Sequence, residues 1–134
     1  MQPRYRTAIV GLGGIAHGRP SPQVNLPFVG QRPQSHASAY ERHPQTDLVA
    51  VCDLLPSALE RFKMLWDDEG PDLRYYTDYE EMLEKEQPQV VSVSTPDHLH
   101  ADVVVAAAGG GARAIWCEKP VATHLAEADR MIAA

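Results

Sequence analysis

The stretch "TAIVGLGGIA", Thr7 to Ala16, joins a short apolar run to a cluster of small residues. The run "TAIV" has the length and composition of a buried β-strand. Glycines at positions 11 and 13 and an alanine at 16 follow the spacing of a tight strand-to-helix turn. In dinucleotide-binding folds the first glycine allows the turn, the second lets the backbone approach a pyrophosphate, and the third small residue packs helix on strand. The motif predicts such a turn, and a strand-turn without a ligand is its alternative.

Four more β-like runs follow, and helical segments alternate with them. The runs are "DLVAVCD", "LRYY", "QVVSVST" and "RAIWCE", and the helical segments are "SHASAYERH", "PSALERFKMLW", "TDYEEMLEKE", "HADVVVAAA" and "LAEADRMIAA". In the third helical segment Thr77 lies three residues before Glu80, which predicts a capping box. Alternation of this kind predicts parallel strands joined by right-handed crossovers. The predicted fold class is therefore α/β, a doubly wound parallel sheet with five strands in this chain.

Residues Gly18–Ser35 interrupt the alternation. The segment "GRPSPQVNLPFVGQRPQS" holds four prolines and two glycines and has no hydrophobic period. Prolines at this density are incompatible with a regular helix. The pattern predicts an inserted, irregular and exposed loop with above-average mobility.

Composition narrows the class of protein. The 134 residues leave room for one domain, with 44% apolar and 22% charged residues, as is usual for globular proteins. A net charge of −6 argues against nucleic acid or a membrane as a partner. The amino terminus "MQPRYRTAIV" lacks the apolar region of a signal peptide, so we expect a cytoplasmic protein. Cys52 and Cys117 each end an apolar run, which is typical of buried, reduced thiols.

The second β-like run ends at an acid, Asp53. An acid at this place in a dinucleotide fold accepts hydrogen bonds from the adenosine ribose, usually about 20 residues beyond the glycines. Here 37 residues separate Ala16 from Asp53, and the Gly18–Ser35 insertion accounts for the excess. A carboxylate repels a 2′-phosphate and the following "LLPS" offers no arginine to bind one, which favours NAD over NADP. A strand-ending turn acid is the alternative interpretation of Asp53.

Two further polar stretches follow the fourth and fifth runs, at the edge of the sheet where ligands collect. In "STPDHLH", His98 and His100 could suggest a metal pair, but no further ligand is close in sequence and we predict no metal. Thr95 and Asp97 could also simply begin the next helix. In "CEKP", Glu118 and Lys119 would lie beside the nicotinamide half of a cofactor, where a partly desolvated lysine could assist proton transfer. A solvated Glu-Lys pair in a loop is the alternative.

The segments "GLGGIA", "AVCD", "STPDHLH" and "CEKPVA", in this order, resemble the Rossmann domain of the Gfo/Idh/MocA family. The resemblance covers nearly the whole chain and implies an NAD(P)-dependent oxidoreductase acting on sugars, cyclitols or their derivatives. On the adenosine side, it implies that the pyrophosphate is held by Gly11, Gly13, Gly14, Ile15 and Ala16 and the ribose by Asp53. On the nicotinamide side, it implies a lining of Ser94, Thr95, Pro96 and His100. It further implies that Glu118 contacts the nicotinamide ribose and that Lys119 is the catalytic residue between cofactor and substrate. Pro120 would shape the turn that aims Lys119, with a cis and a trans Lys119–Pro120 bond both open.

The family also has a second, sheet-rich domain that binds substrate and normally carries a catalytic histidine. Since this chain ends inside "LAEADRMIAA", we expect residues 1–134 to be one NAD(P)-binding domain, without the sixth strand and the second domain. Homo-oligomers could form through that second domain. A non-catalytic NAD-binding sensor or regulatory module is the alternative function. A methyltransferase is a third, and "EKP" and "TPDHLH" argue against it because methyl transfer requires neither.

Overall fold

The computed structural model describes residues 4–18, 33–66 and 72–134. Five strands form one sheet in the order β3-β2-β1-β4-β5, and every neighbouring pair is parallel. The strands are β1 (Tyr5–Val10), β2 (Thr46–Cys52), β3 (Arg74–Tyr76), β4 (Val90–Val93) and β5 (Ala114–Cys117). This arrangement confirms the predicted doubly wound parallel sheet.

Six α-helices connect or follow the strands in the described residues. They are α1 (Gly14–His17), α2 (His36–Arg42), α3 (Pro56–Trp66), α4 (Tyr79–Glu86), α5 (His100–Gly109) and α6 (Leu125–Ala133), with a 3₁₀ turn at Asp97–Leu99. The capping box predicted from Thr77 is wrong. Helix α4 is capped one residue later by Asp78, whose carboxylate accepts the N–H groups of Glu80 and Glu81. Described helices include none that is long and apolar enough to cross a membrane.

Helices cover both faces of the sheet. Side chains along a strand alternate between these two faces, so successive residues of one strand join different cores. Ala8 and Val10 of β1 join a core with residues of α4 and α5, whereas Ile9 joins a second core with residues of α2 and α3. The second core includes Phe62 and Trp66, whose rings stack at 6.0 Å. Burial on both faces explains why the central strands read as continuous apolar runs rather than alternating ones.

The strand order changes direction at β1. Strands β2 and β3 extend the sheet on one side of β1, and β4 and β5 extend it on the other. The carboxyl ends of β1 and β4 therefore flank the point where the strand order switches, which is where open α/β sheets bind ligands.

The predicted insertion, Gly18–Ser35, lies mostly outside the described residues, which omit 19–32. Its two described ends belong to helices. Gly18 closes α1, and Ser35 caps α2 with a reciprocal pair of bonds to Ser38. The last strand, β5, lies at the edge of the sheet and has alternating exposure, with 55% of Trp116 exposed.

Candidate functional site

One residue beyond each of four strands, the backbone still bonds to the neighbouring strand. The N–H groups of Gly11, Asp53, Ser94 and Glu118 donate to the carbonyls of Cys52, Tyr76, Val10 and Val93 at 2.8–3.1 Å. These bonds hold the four residues in line along the carboxyl edge of the sheet. The predicted site residues from distant parts of the sequence thereby come together.

The first glycine of the loop is required by the fold itself. Gly11 has a φ of +90°, and a Cβ on it would lie 2.5 Å from the backbone nitrogen of Thr95. The side-chain hydroxyl of Ser94 also donates to the Gly11 carbonyl at 2.7 Å. The glycine loop and the segment after β4 are therefore packed directly against each other, which only a residue without a side chain permits.

The next two glycines have no such packing reason. A Cβ on Gly13 or Gly14 would meet nothing within 4 Å. The described part of the chain supplies no hydrogen-bond acceptor for the N–H groups of Gly13, Gly14 or Ile15. Ala16, in contrast, is fully buried under the sheet. Open space above free N–H groups is the environment that a pyrophosphate needs for close approach to the backbone.

Asp53 is tied to the same loop. One carboxylate oxygen accepts the N–H of Leu12 at 2.8 Å, and the other accepts the N–H of Leu55 at 2.9 Å. Each carboxylate oxygen can accept more than one hydrogen bond, so capacity for ribose hydroxyls is left. Asp53 thus connects the end of β2 to the glycine loop in addition to any part in binding.

A cavity of about 530 Å³ lies over the ends of β1, β2 and β4. Its described lining contains no lysine or arginine, and its charged residues are Asp53 and Asp102. The hydroxyl oxygen of Thr95, also part of this lining, is buried and has no hydrogen-bond partner among the described residues. A buried hydroxyl without a partner is costly unless a ligand satisfies it. The cavity has the size of a small-molecule site, and the Thr95 hydroxyl is a polar group beside it that a ligand could satisfy.

His100 is placed behind this edge rather than on it. It is only 1% exposed, and its two ring nitrogens lie 2.9 Å from the carbonyls of Thr95 and Pro120. A neutral ring can donate to only one of these carbonyls at a time. The ring lies between the loop after β4 and the loop after β5, within hydrogen-bond distance of a carbonyl in each. In this arrangement it supports the predicted nicotinamide side instead of offering a free nitrogen to it.

The two charged residues after β5 differ in their surroundings: the Glu118 carboxylate has a hydrogen-bond partner, and the Lys119 side chain is exposed. Glu118 Oε1 lies 3.0 Å from Nε2 of His36, and the Glu118 side chain is 20% exposed. Lys119 is exposed, and its backbone N–H lies 3.4 Å from Glu118 Oε2. The Lys119–Pro120 peptide bond is cis.

The sequence pattern of an oxidoreductase family with an NAD-binding Rossmann fold, Gfo/Idh/MocA, matches residues 5–134. The chain belongs to this family. It is 32% identical to inositol 2-dehydrogenase of Salmonella typhimurium over 88 residues, which are 66% of this chain and 25% of that enzyme. It is 31% identical to D-glucoside 3-dehydrogenase of Escherichia coli over 126 residues, which are 94% of this chain and 30% of that enzyme.

A solved structure shares the fold. Scyllo-inositol dehydrogenase from Lactobacillus casei with bound NAD(H) and scyllo-inositol superposes with a TM-score of 0.68 at 19% identity, covering 96% of this chain and 32% of that one. The family match and these relatives confirm the resemblance to the Gfo/Idh/MocA family that the sequence motifs showed. The chain spans about a quarter to a third of the length of the relatives it matches.

The two cysteines of this family member are unsuited to act as nucleophiles. Burial, with smaller contributions from Asp53 and Asp78, raises the pKa of Cys52 to about 12. Burial and then Glu118 raise the pKa of Cys117 to about 11. Both thiols are free. Described residues also include no group of three His, Cys, Asp or Glu side chains that could hold a metal ion.

Sequence reasoning missed the role of His36. The residue directly follows the Gly18–Ser35 segment, and none of the site motifs includes it. Its partner Glu118 is 82 positions away, so no local spacing could connect them. The available signal was a histidine at the start of an otherwise apolar helix face, which needs a polar partner once buried.

Proposed function

We propose that this chain is the cofactor-binding domain of an NAD-dependent oxidoreductase that transfers a hydride between nicotinamide and a hydroxyl group of a sugar or cyclitol. The observation that carries the proposal is the open space over Gly13 and Gly14, next to free N–H groups and the ribose-type acid Asp53. Nothing in the packing of the described residues requires glycine at those two positions. The close approach of a pyrophosphate does require it.

The residues present fit such a cofactor. Gly11, Gly13, Gly14, Ile15 and Ala16 would form the pyrophosphate turn, and Asp53 would accept the adenosine ribose hydroxyls. Thr95, with its unpartnered hydroxyl, would serve the nicotinamide side together with Ser94 and Pro96. Glu118 would accept a hydroxyl of the nicotinamide ribose, and His100 would hold the loops that present these groups.

Lys119 would be the catalytic residue. Bound nicotinamide supplies the hydride chemistry, so the part of the protein is to orient the substrate and to move the hydroxyl proton. Lys119 is exposed here, and its desolvation would come from the bound cofactor and substrate. A desolvated amine beside a cationic ring favours its neutral form, which can accept that proton.

The substrate and the setting are inferred from the relatives. The relatives named above act, by their names, on inositol and on D-glucosides, which are polyhydroxy rings. The remaining two thirds or more of such proteins would carry the substrate pocket, and homo-oligomers would form through it. Free cysteines suit a reducing compartment, which supports the cytoplasm as its location.

A matched pair of glycine substitutions tests cofactor binding. Gly13→Val places a side chain where only a ligand would meet it, so it should weaken NADH binding at least about tenfold while the protein stays folded. Gly109→Val is the control, because a Cβ on Gly109 also meets nothing within 4 Å but lies at the far end of α5. NADH fluorescence titration measures both, and equal NADH affinity in the two variants would refute the proposed site.

A further inference from the structure

A chain of four polar side chains crosses the buried face of the sheet beneath β5. The hydroxyl of Tyr40 lies 2.6 Å from Oγ of Ser92, and that oxygen lies 2.9 Å from Nδ1 of His36. Nε2 of His36 lies 3.0 Å from Oε1 of Glu118. Ser92 is fully buried in β4, an interior strand of the sheet, where an apolar residue is the usual choice. Its polarity is explained by the two partners it connects.

The local structure places these partners together. His36 and Tyr40 are four residues apart on α2, so both rings lie on one face of the helix and reach the same stretch of β4. The His36 ring, whose side chain is 2% exposed, is also held by the Trp116 ring, edge-on at 4.8 Å. The His36 ring is therefore packed in one position. The row of four hydrogen-bonded side chains is therefore a fixed part of the fold, and it ends at the Glu118 carboxylate on the carboxyl edge of the sheet.

Hydrogen-bond directions in the chain are consistent from end to end. Burial raises the pKa of Tyr40, against a smaller lowering by its bond to Ser92, so the phenol keeps its proton. Either hydroxyl of this pair can donate, and the direction with Tyr40 as the donor is the one that leaves the Ser92 hydrogen for Nδ1 of His36. Ser92 then donates to Nδ1 of His36, which leaves the hydrogen of a neutral ring on Nε2. That hydrogen is donated to Glu118 Oε1. One tautomer of one neutral histidine satisfies all four groups, and such chains strengthen cooperatively.

We propose that His36 is a positioning residue that fixes the Glu118 carboxylate for the nicotinamide ribose through this chain from Tyr40 and Ser92. The inference rests on the proposed function. Oε1 of Glu118 is occupied by His36, whereas Oε2 has only the 3.4 Å contact with the Lys119 N–H among the described residues. Oε2 is then the oxygen left to accept a ribose hydroxyl. Without the His36 bond, which we call the clamp, the partly exposed Glu118 side chain would lose rotamer freedom when the ribose binds, and this loss would weaken the affinity.

Three ligands that differ by one part each test the proposal. ADP lacks the second ribose, ADP-ribose adds it, and NADH adds the nicotinamide as well. Calorimetry with His36→Leu should show NADH and ADP-ribose binding about tenfold more weakly and ADP binding unchanged within about twofold. His36→Gln, which keeps an N–H donor at the Nε2 position, should recover most of the loss. His43→Gln, an exposed histidine at the end of the same helix, is the control and should change none of the three.

A double-mutant cycle tests whether His36 acts through Glu118. Glu118→Gln should give the same selective loss, and the double variant with His36→Leu should be no weaker than the weaker single variant. Additive losses would overturn the proposal, and so would an equal loss of ADP binding or no loss at all. A wild-type protein that binds none of the three ligands would refute the proposed function, and this inference with it.

A second readout keeps the test valid if His36→Leu does not fold. Ring ¹⁵N NMR of the wild-type protein should show His36 as the Nε2–H tautomer at neutral pH. Ser92→Ala removes the donor to Nδ1 and should weaken NADH about threefold without affecting ADP. An Nδ1–H tautomer in the wild type, or an unchanged NADH affinity in Ser92→Ala, would contradict the proposed clamp.

Discussion

At the scale of single residues, Asp53 stabilises the carboxyl edge and, in the proposed function, also binds the cofactor. Its carboxylate holds the glycine loop through Leu12 and the following turn through Leu55. Because the described cavity lining has no cation to offset that negative charge, a 2′-phosphate would be repelled there. We expect tighter binding of NADH than of NADPH. Calorimetry showing equal or better affinity for NADPH would contradict this.

Substitution of Asp53 separates charge from hydrogen bonding. Asp53→Ser should weaken NADH and reduce the preference for it about tenfold, because the ribose bonds and the repulsion both disappear. Asp53→Asn keeps an acceptor for one backbone N–H while removing the charge, so it should gain NADPH affinity with a smaller loss of NADH. If both variants kept the wild-type ratio, Asp53 would not be the residue that discriminates.

At the scale of elements, a buried carboxylate joins β1, β3 and α4. Glu86 of α4 accepts from Arg6 at 2.8 Å, from Arg74 at 3.1 Å and from the Tyr76 hydroxyl at 2.6 Å. The bond to Glu86, and secondly burial, raise the pKa of Tyr76 to about 12. Glu86→Leu should lower the free energy of unfolding by about 1–3 kcal/mol, because three donors lose their acceptor. Urea unfolding measures this.

The same contact gives an alkaline dependence with a defined sign. Since the folded-state pKa of Tyr76 lies above its ordinary value of 10.0, the Tyr76 bond contributes stability in full below pH 10. That contribution is lost as pH rises from there toward 12. Tyr76→Phe, the matched control, should be less stable at pH 8 and should lose less stability between pH 10 and pH 12. Parallel pH profiles for the two proteins would rule the contact out as the cause.

Local patterns determined the elements, but contacts between them were beyond sequence reasoning. Apolar runs predicted all five strands, and "GLGGIA" and the strand-ending Asp53 predicted the edge on which they meet, because each pattern is complete within a few residues. The Thr77 prediction failed by one position, since Thr77 and Asp78 are both good caps and only the path of the chain selects between them. The pairing of His36 with Glu118 and the burial of Glu86 depend on packing across the sheet. No local signal contains that information.

At the scale of the whole molecule, an edge strand and the last described helix leave apolar surface exposed. β5 is an edge strand, and Leu125 and Ile132 of α6 are 86% and 85% exposed. Unpaired strand edges and contiguous apolar surface are normally covered in stable proteins. The relatives are three to four times longer than the matched segment.

This leads to the expectation that a polypeptide limited to residues 1–134 binds NADH but oxidises no polyol at a measurable rate. In the proposed function Lys119 would move a proton, which is worth about 10²–10⁴ in rate. Hydride transfer also needs the substrate carbon held against the ring, and such positioning can supply about 7–11 kcal/mol of the barrier. In the proposed function Lys119 is the one described residue assigned to the substrate, so this positioning is missing. NADH production from myo-inositol by the purified 134-residue chain, abolished by Lys119→Ala, would contradict this. In a longer, active protein the same substitution should lower kcat far more than NADH affinity, because Lys119 would touch the reacting hydroxyl rather than secure the cofactor.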